Sequence, residues 1–125
     1  MAVTITEEIF RSSPENPHPV KKITFDWTSD AAGDATETTT NAYTGELLRF
    51  VTVPDGVSAP TDDYDIVIND EDSTDVLIGA GANRDTANTE QVIASSLGAV
   101  ANDKLTIVVS NAGNTKKGKA YLYIR

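Results

Sequence analysis

The segment VKKITFDW, residues 20–27, ends in strict alternation of apolar and polar side chains. Ile23, Phe25 and Trp27 fall on one face and Lys22, Thr24 and Asp26 on the other, the period-two pattern of a strand buried on one side. Trp27 is the single tryptophan of the chain, and its place on the Ile23/Phe25 face assigns it to a core. Working outward, ELLRFVTV (46–53) is apolar on both faces, as a central strand is, and PDG (54–56) stops it with a turn. YDIVIND (64–70) alternates again, with Tyr64, Ile66 and Ile68 on one side. Thr36–Tyr43, after a polar loop, reads as an edge strand. KLTIVVS (104–110) is a strand by its β-branched content. KAYLYIR (119–125) sets Tyr121 and Tyr123 on one face and Leu122 and Ile124 on the other. The turn cluster NAGNTKKG (111–118) lies between these last two, which predicts that they pair as a hairpin.

Two regions are less regular. VTITEEIF (3–10) has strand character, but RSSPENPHP (11–19) carries three prolines, which remove backbone donors and favour polyproline II geometry. Residues 1–19 are therefore expected to form a loosely attached N-terminal arm or linker, and residues 20–125 a single domain. In residues 88–98, Asn88 stands three residues before Gln91, a helix N-cap arrangement. Val92, Ile93 and Leu97 would form the apolar stripe of a short helix that Gly98 closes. A strand over Gln91–Ala94 is the rival. Short strands separated by turn signals predict an all-β fold, an antiparallel β-sandwich or small jelly-roll-like barrel with an extended N-terminal arm.

The 125 residues suit one domain with a real core. The formal net charge of −9 repels DNA phosphates and anionic membrane surfaces, so neither nucleic acid nor membrane is an expected partner. There is no cysteine, hence no disulfide framework or thiolate site. No apolar run approaches the roughly 20 residues of a spanning helix. The start MAVTITEEIF lacks the features of a secretory signal, so a cytoplasmic origin is expected.

Residues 61–85 hold eight acids and one base, Arg84. Asp70 and Asp72 stand like positions 1 and 3 of an EF-hand loop. Asp75 replaces the glycine of position 6 and Gly81 the glutamate of position 12, so the tight turn and the bidentate ligand are both missing. A calcium site of another kind, a solvated loop and a surface for a protein partner stay open as readings. A glycosidase pair would need two carboxylates held at a defined separation across a cleft, which abundance of acids does not supply. GAGANR (79–84) begins like a phosphate-binding loop but ends on Arg84 and has no βαβ unit around it. The one histidine, His18, lies between two prolines, a poor place for a triad, and zinc sites of two or three histidines are excluded by count. No cofactor and no enzymatic activity are expected. Tyr121 and Tyr123 could form a sugar-stacking platform.

Charge is unevenly distributed. Residues 103–125 carry five bases, including Lys116 and Lys117, and one acid, against the acidic 61–85. Complementary patches of this kind favour ordered contact between copies or with a partner.

KKITFDWTSDAAGDA, YTGELLRFVTVPDG, APTDDYDIVINDED, GANRDTANTEQV and KLTIVVSNAGNTKKGKAYLYIR together resemble small structural proteins of tailed bacteriophages, over Val20 to Arg125. The resemblance implies a virion component and carries over no functional residue. A small, acidic, cysteine-free β domain with a proline-rich arm fits a capsid decoration, or cement, protein. Such a protein is expected on the outer capsid surface, bound to the major capsid protein and self-associated, as a trimer in the commonest arrangement. A tail component and a carbohydrate-binding adhesion module are the alternatives. In the decoration reading, Val3, Ile5 and Phe10 are candidates to add a strand to a neighbour's sheet. Asp70, Asp72, Arg84, Lys116, Lys117, Tyr121 and Tyr123 are the further candidate contacts.

Overall fold

A computed structural model describes residues 2–10 and 19–125. The proline-rich stretch up to His18, residues 11–18, falls outside the described residues. Among the described residues, nine strands form two antiparallel layers: β1 (Ala2–Phe10), β2 (Val20–Thr28), β3 (Ala35–Thr38), β4 (Tyr43–Pro54), β5 (Asp65–Asn69), β6 (Glu90–Ile93), β7 (Ala99–Asp103), β8 (Thr106–Ser110) and β9 (Lys117–Ile124). The larger sheet runs β1-β2-β9-β4-β6, with β7 beside the first half of β4, and the smaller runs β3-β8-β5. The fold is an all-β sandwich, as the alternating segments predict.

The register explains the burial. Ile23, Phe25 and Trp27 of β2 stand beside Leu122, Ala120 and Gly118 of β9, and the five of them other than Gly118 share one core with Ile66, Ile68, Ile107 and Val109 of the smaller sheet. Gly118 is required there: a Cβ on it would lie 2.5 Å from Cζ2 of Trp27. β4 is central and bent. Register shifts fall between Tyr43 and Gly45 and between Leu47 and Arg49. Gly45, at φ +148°, lets the backbone of Arg125 approach to 2.9 Å of where a Cβ would stand. Val51, on the outer face, is buried as well, whereas Arg49 on the same face is exposed.

Three expectations are corrected. Ala2–Phe10, expected as part of a loose arm, is a nine-residue strand paired with β2 along its whole length. Val3 and Ile5 stand opposite Trp27 and Phe25 and pack against the core. Glu7, opposite Ile23, accepts a hydrogen bond from the buried Tyr43 hydroxyl. The apolar alternation of this segment thus outweighs the prolines that follow it. Second, β8 and β9 do not form a hairpin but lie in different sheets. Residues 111–116 carry the chain across the sandwich through Asn111, Gly113 and Thr115, all at positive φ. They are held by Thr61 N–H to Ala112 O (2.9 Å), Thr115 N–H to Asp30 O (3.2 Å) and Ser29 Oγ to Gly113 O (2.6 Å). Third, the helix expected in 88–98 gives way to its rival, the strand read at Gln91–Ala94, which forms as β6 and is followed by a single 3₁₀ turn, Ala94–Ser96. Isolated helix of that length is marginal, whereas the edge of β4 offers Glu90–Ile93 a full set of ladder partners.

Candidate functional site

The eight acids of 61–85 do not converge. Six of them, Asp62, Asp65, Asp70, Glu71, Asp75 and Asp85, accept backbone N–H groups of loops. Asp75 takes three, from Ile68 (3.2 Å) and Leu77 (3.0 Å) on Oδ1 and Gly79 (2.9 Å) on Oδ2. Asp70 Oδ1 takes Asp72 N–H at 2.9 Å and Thr74 N–H at 3.0 Å. Aspartate is the residue that closes such turns through its own carboxylate. The Ala87 N–H, then the Asn88 amide and N–H, hold the Asp85 carboxyl below its ordinary pKa. Asp72 is exposed and accepts none of these bonds. Among the described residues no group of three or more acidic or histidine side chains is arranged to hold a metal. The acidic run therefore builds the loops that cover the β5 side of the smaller sheet. Arg84 belongs to the same structure: its N–H donates to Tyr64 O at 2.7 Å, and its guanidinium lies 3.6 Å from Glu90.

Four basic residues share the opposite layer. The outer face of the larger sheet carries Lys22, Arg49, Lys117 and Lys119 against Glu8 and Asp26. One row crosses five strands: Glu8, Lys22, Tyr123, Arg49 and Ile93. The next holds Thr6, Thr24, Tyr121, Val51 and Gln91. Tyr121 and Tyr123 are both on this face, as their alternation predicts, and both are half-buried. Their rings are not bare. Lys22 Nζ lies 4.3 Å from the Tyr121 centroid and 5.9 Å from that of Tyr123, and the Arg49 guanidinium lies 5.4 Å from Tyr123. Arg49 is fixed further by a 2.9 Å bond from Nε to Gln91 Oε1.

At the end of this face where β4 stops, a groove of about 440 Å³ opens between Asp26, Lys117, Lys119, Tyr121 and the turn from Pro54 to Gly56. Asp55 shapes its wall. Its Oδ2 accepts Val57 N–H at 3.0 Å and Ser58 N–H at 2.8 Å. The Ser58 N–H, then the Val57 N–H, hold the carboxyl below its ordinary pKa, and the ammonium groups of Lys117 and Lys119 add to the effect.

Of the candidates named from sequence, Lys117, Tyr121 and Tyr123 share this face. Phe10 is half-exposed at the end of β1, and Val3 and Ile5 pack on the core. Asp70, Asp72 and Arg84 lie with the loops of the other layer. Lys116, half-buried, packs beside Gly113. Sequence reasoning missed Lys22, Asp26, Arg49, Asp55 and Lys119. The polar phase of VKKITFDW marked Lys22 and Asp26 as surface residues, but only sheet order sets them beside β9.

No protein-family model matches the chain, and no curated protein matches it. Among solved structures, a chain in the structure of the infectious bursal disease virus Gx strain aligns at a TM-score of 0.34 and 14% identity. The alignment covers 99% of this chain and 32% of that one, so the protein spans about a third of that chain's length.

Proposed function

We propose that this protein is a non-enzymatic structural component of a tailed-phage virion, a cement protein that binds the major capsid protein on the outer surface of the mature head. The observation that carries the reading is the free edge of β1. Along its nine residues, the N–H and C=O groups of alternate residues point outward with no paired segment among the described residues. The other edges are short or closed. β3 and β6 have four residues each and β7 five. The edge of β5 is covered by residues 76–84, through Val76 N–H to Ile68 O, Ile66 N–H to Gly81 O and Arg84 N–H to Tyr64 O. A long, unblocked edge is a template for strand addition. Ile9 and Phe10, 50% and 52% exposed, add apolar surface at its end.

A partner strand laid along β1 would gain main-chain hydrogen bonds from the edge and burial from Ile9 and Phe10. Many copies binding only the mature lattice stabilise that lattice by mass action. The contrast between the acidic loops of residues 61–85 and the four bases on the outer face of the larger sheet favours one orientation on the shell and self-association of neighbouring copies, as around a three-fold axis. The resemblance of residues 20–125 to phage structural proteins supports the same reading.

Co-sedimentation with undecorated phage heads tests it. The wild-type protein is expected to pellet with heads, less so as salt rises. The double variant Ile9→Asp/Phe10→Asp, with unchanged circular dichroism, should stay in solution. Absence of the wild-type protein from the head pellet at every salt concentration ends the proposal.

A further inference from the structure

The groove beside Tyr121 has a chemistry that strand addition at β1 leaves unused. It lies on the outer face of the larger sheet, whereas the β1 edge points sideways. Its volume of about 440 Å³ is within the range of roughly 300–1,000 Å³ typical of small-ligand sites. Its walls are fixed before any ligand arrives. One is the sheet itself. The other is the turn after β4, locked by the two Asp55 bonds and by Lys117 N–H to Ser58 O at 2.9 Å.

The lining offers two carboxylates, Asp26 and Asp55, two ammonium groups, Lys117 and Lys119, and one aromatic ring, Tyr121. Asp26 and Lys119 are direct cross-strand neighbours. Yet among the described residues neither lysine lies within ion-pair distance of a carboxylate; the one such pair is Arg84–Glu90. Acceptors and donors therefore stand side by side without consuming one another. An anion entering the groove meets Asp26 and Asp55, and a cation meets Lys117 and Lys119, so neither sign is favoured. A neutral molecule rich in hydroxyls suits both, because each hydroxyl donates and accepts. Hydrogen bonds from a neutral hydroxyl to an ionised group are also stronger than neutral pairs. Tyr121 supplies an apolar surface for the C–H face of a ring. Lys22, which now lies over Tyr121, is a half-exposed cation whose ring contact is worth only about 0.5–1 kcal/mol, little to displace. Tyr123, outside the groove and flanked by two cations, is not part of the site.

We propose that this groove binds a neutral pyranose unit of a glycan, with Tyr121 packing on the sugar ring and Asp26, Asp55 and Lys119 bonding its hydroxyls. The inference goes beyond capsid attachment, and its test uses the isolated full-length protein without heads, so the two stand or fall separately. The ¹⁵N–¹H spectrum is followed during titration with the methyl glycosides of glucose, galactose and N-acetylglucosamine. Glucuronate and glucosamine serve as charged controls. Saturable shifts are expected at the amides of Gly56, Gly118 and Lys119 with at least one neutral glycoside. Affinity should fall about tenfold or more in Lys119→Ala, the loss of one charge-assisted bond. Tyr121→Ala should lose binding and Tyr123→Ala retain it, with undisturbed core amides reporting an intact fold. Lys119→Ala, an exposed substitution, decides the matter if Tyr121→Ala does not fold. No saturable shift with any neutral glycoside, equal affinity in the wild-type protein and Lys119→Ala, or tighter binding of a charged control overturns the proposal.

Discussion

Tyr64→Phe is expected to make the protein more stable, which is unusual for a core substitution. Tyr64 is fully buried and its ring contacts Trp27, with centroids 5.6 Å apart and planes tilted by 48°. Its hydroxyl comes near Thr52 Oγ1, yet among the described residues neither atom has a hydrogen bond of acceptable geometry, and Trp27 Nε1 is likewise without a partner among them. A buried polar group left unpaired costs about 1–3 kcal/mol, because the unfolded chain hydrates it fully. Phenylalanine keeps the ring contact and removes the hydroxyl. The low end of the range applies, since the Thr52 dipole gives the hydroxyl some compensation, so a gain of about 1 kcal/mol is expected. For a domain of this length that corresponds to roughly 4 °C in Tm. Urea unfolding followed by the emission of Trp27, the only tryptophan, measures the gain as a raised midpoint at unchanged slope. Thr52→Val should be neutral or stabilising by the same logic, and because the two hydroxyls are neighbours the double variant should exceed the sum of the singles by their small mutual compensation, about 0.5 kcal/mol or less. A loss of about 1 kcal/mol or more in Tyr64→Phe, with strong coupling to Thr52→Val, would refute the reasoning. The hydroxyl would then be bonded, to Thr52 or to an internal water.

Gly118→Ala should cost about 1–3 kcal/mol, because the added methyl meets the Trp27 ring, whose Cζ2 would lie 2.5 Å away, and the core must shift; a urea midpoint equal to wild type would contradict it. Asp75→Ala should cost about 1.5–3 kcal/mol, as three backbone N–H groups lose a charged acceptor, while exposed Asp72→Ala should leave the same midpoint unmoved. Alkali should unfold the protein. Burial raises Tyr64 to about 12, and burial followed by the bond to Glu7 raises Tyr43 well above its usual value. Both folded values exceed the unfolded value near 10, so the stabilisation is complete below about pH 10 and is lost as pH rises from there toward 12. A pH titration of the urea midpoint should show that decline, and a shallower one in Tyr64→Phe.

The strands were largely legible because each wears its environment in its own alternation. Ile23, Phe25 and Trp27 needed no partner to be placed in a core, and Tyr121 and Tyr123 none to be placed on an outer face. The edges and crossings were not legible. Asn88-Thr89-Glu90-Gln91 carries a helix-cap pattern, but the edge of β4 supplied ladder bonds that a short helix could not match. NAGNTKKG has the composition of a hairpin turn, but its contacts with Ser29, Asp30 and Thr61 carry it between layers. The acidic run advertised a ligand site, whereas most of its carboxylates close their own loops, a local use that composition does not reveal.

From the order of residues alone came the all-β class, the inward and outward face of most strands, and the charge contrast between residues 61–85 and 103–125. Side-chain period, turn chemistry and formal charge are local properties, so they can be read locally. Only the tertiary structure decided that β1 is a sheet edge, that β8 and β9 part company, and that Asp26, Asp55, Lys119 and Tyr121 share one groove. Strand pairing joins residues separated by as much as the length of the chain. Several pairings bury the same apolar faces, and the choice among them rests on the fit of the whole core.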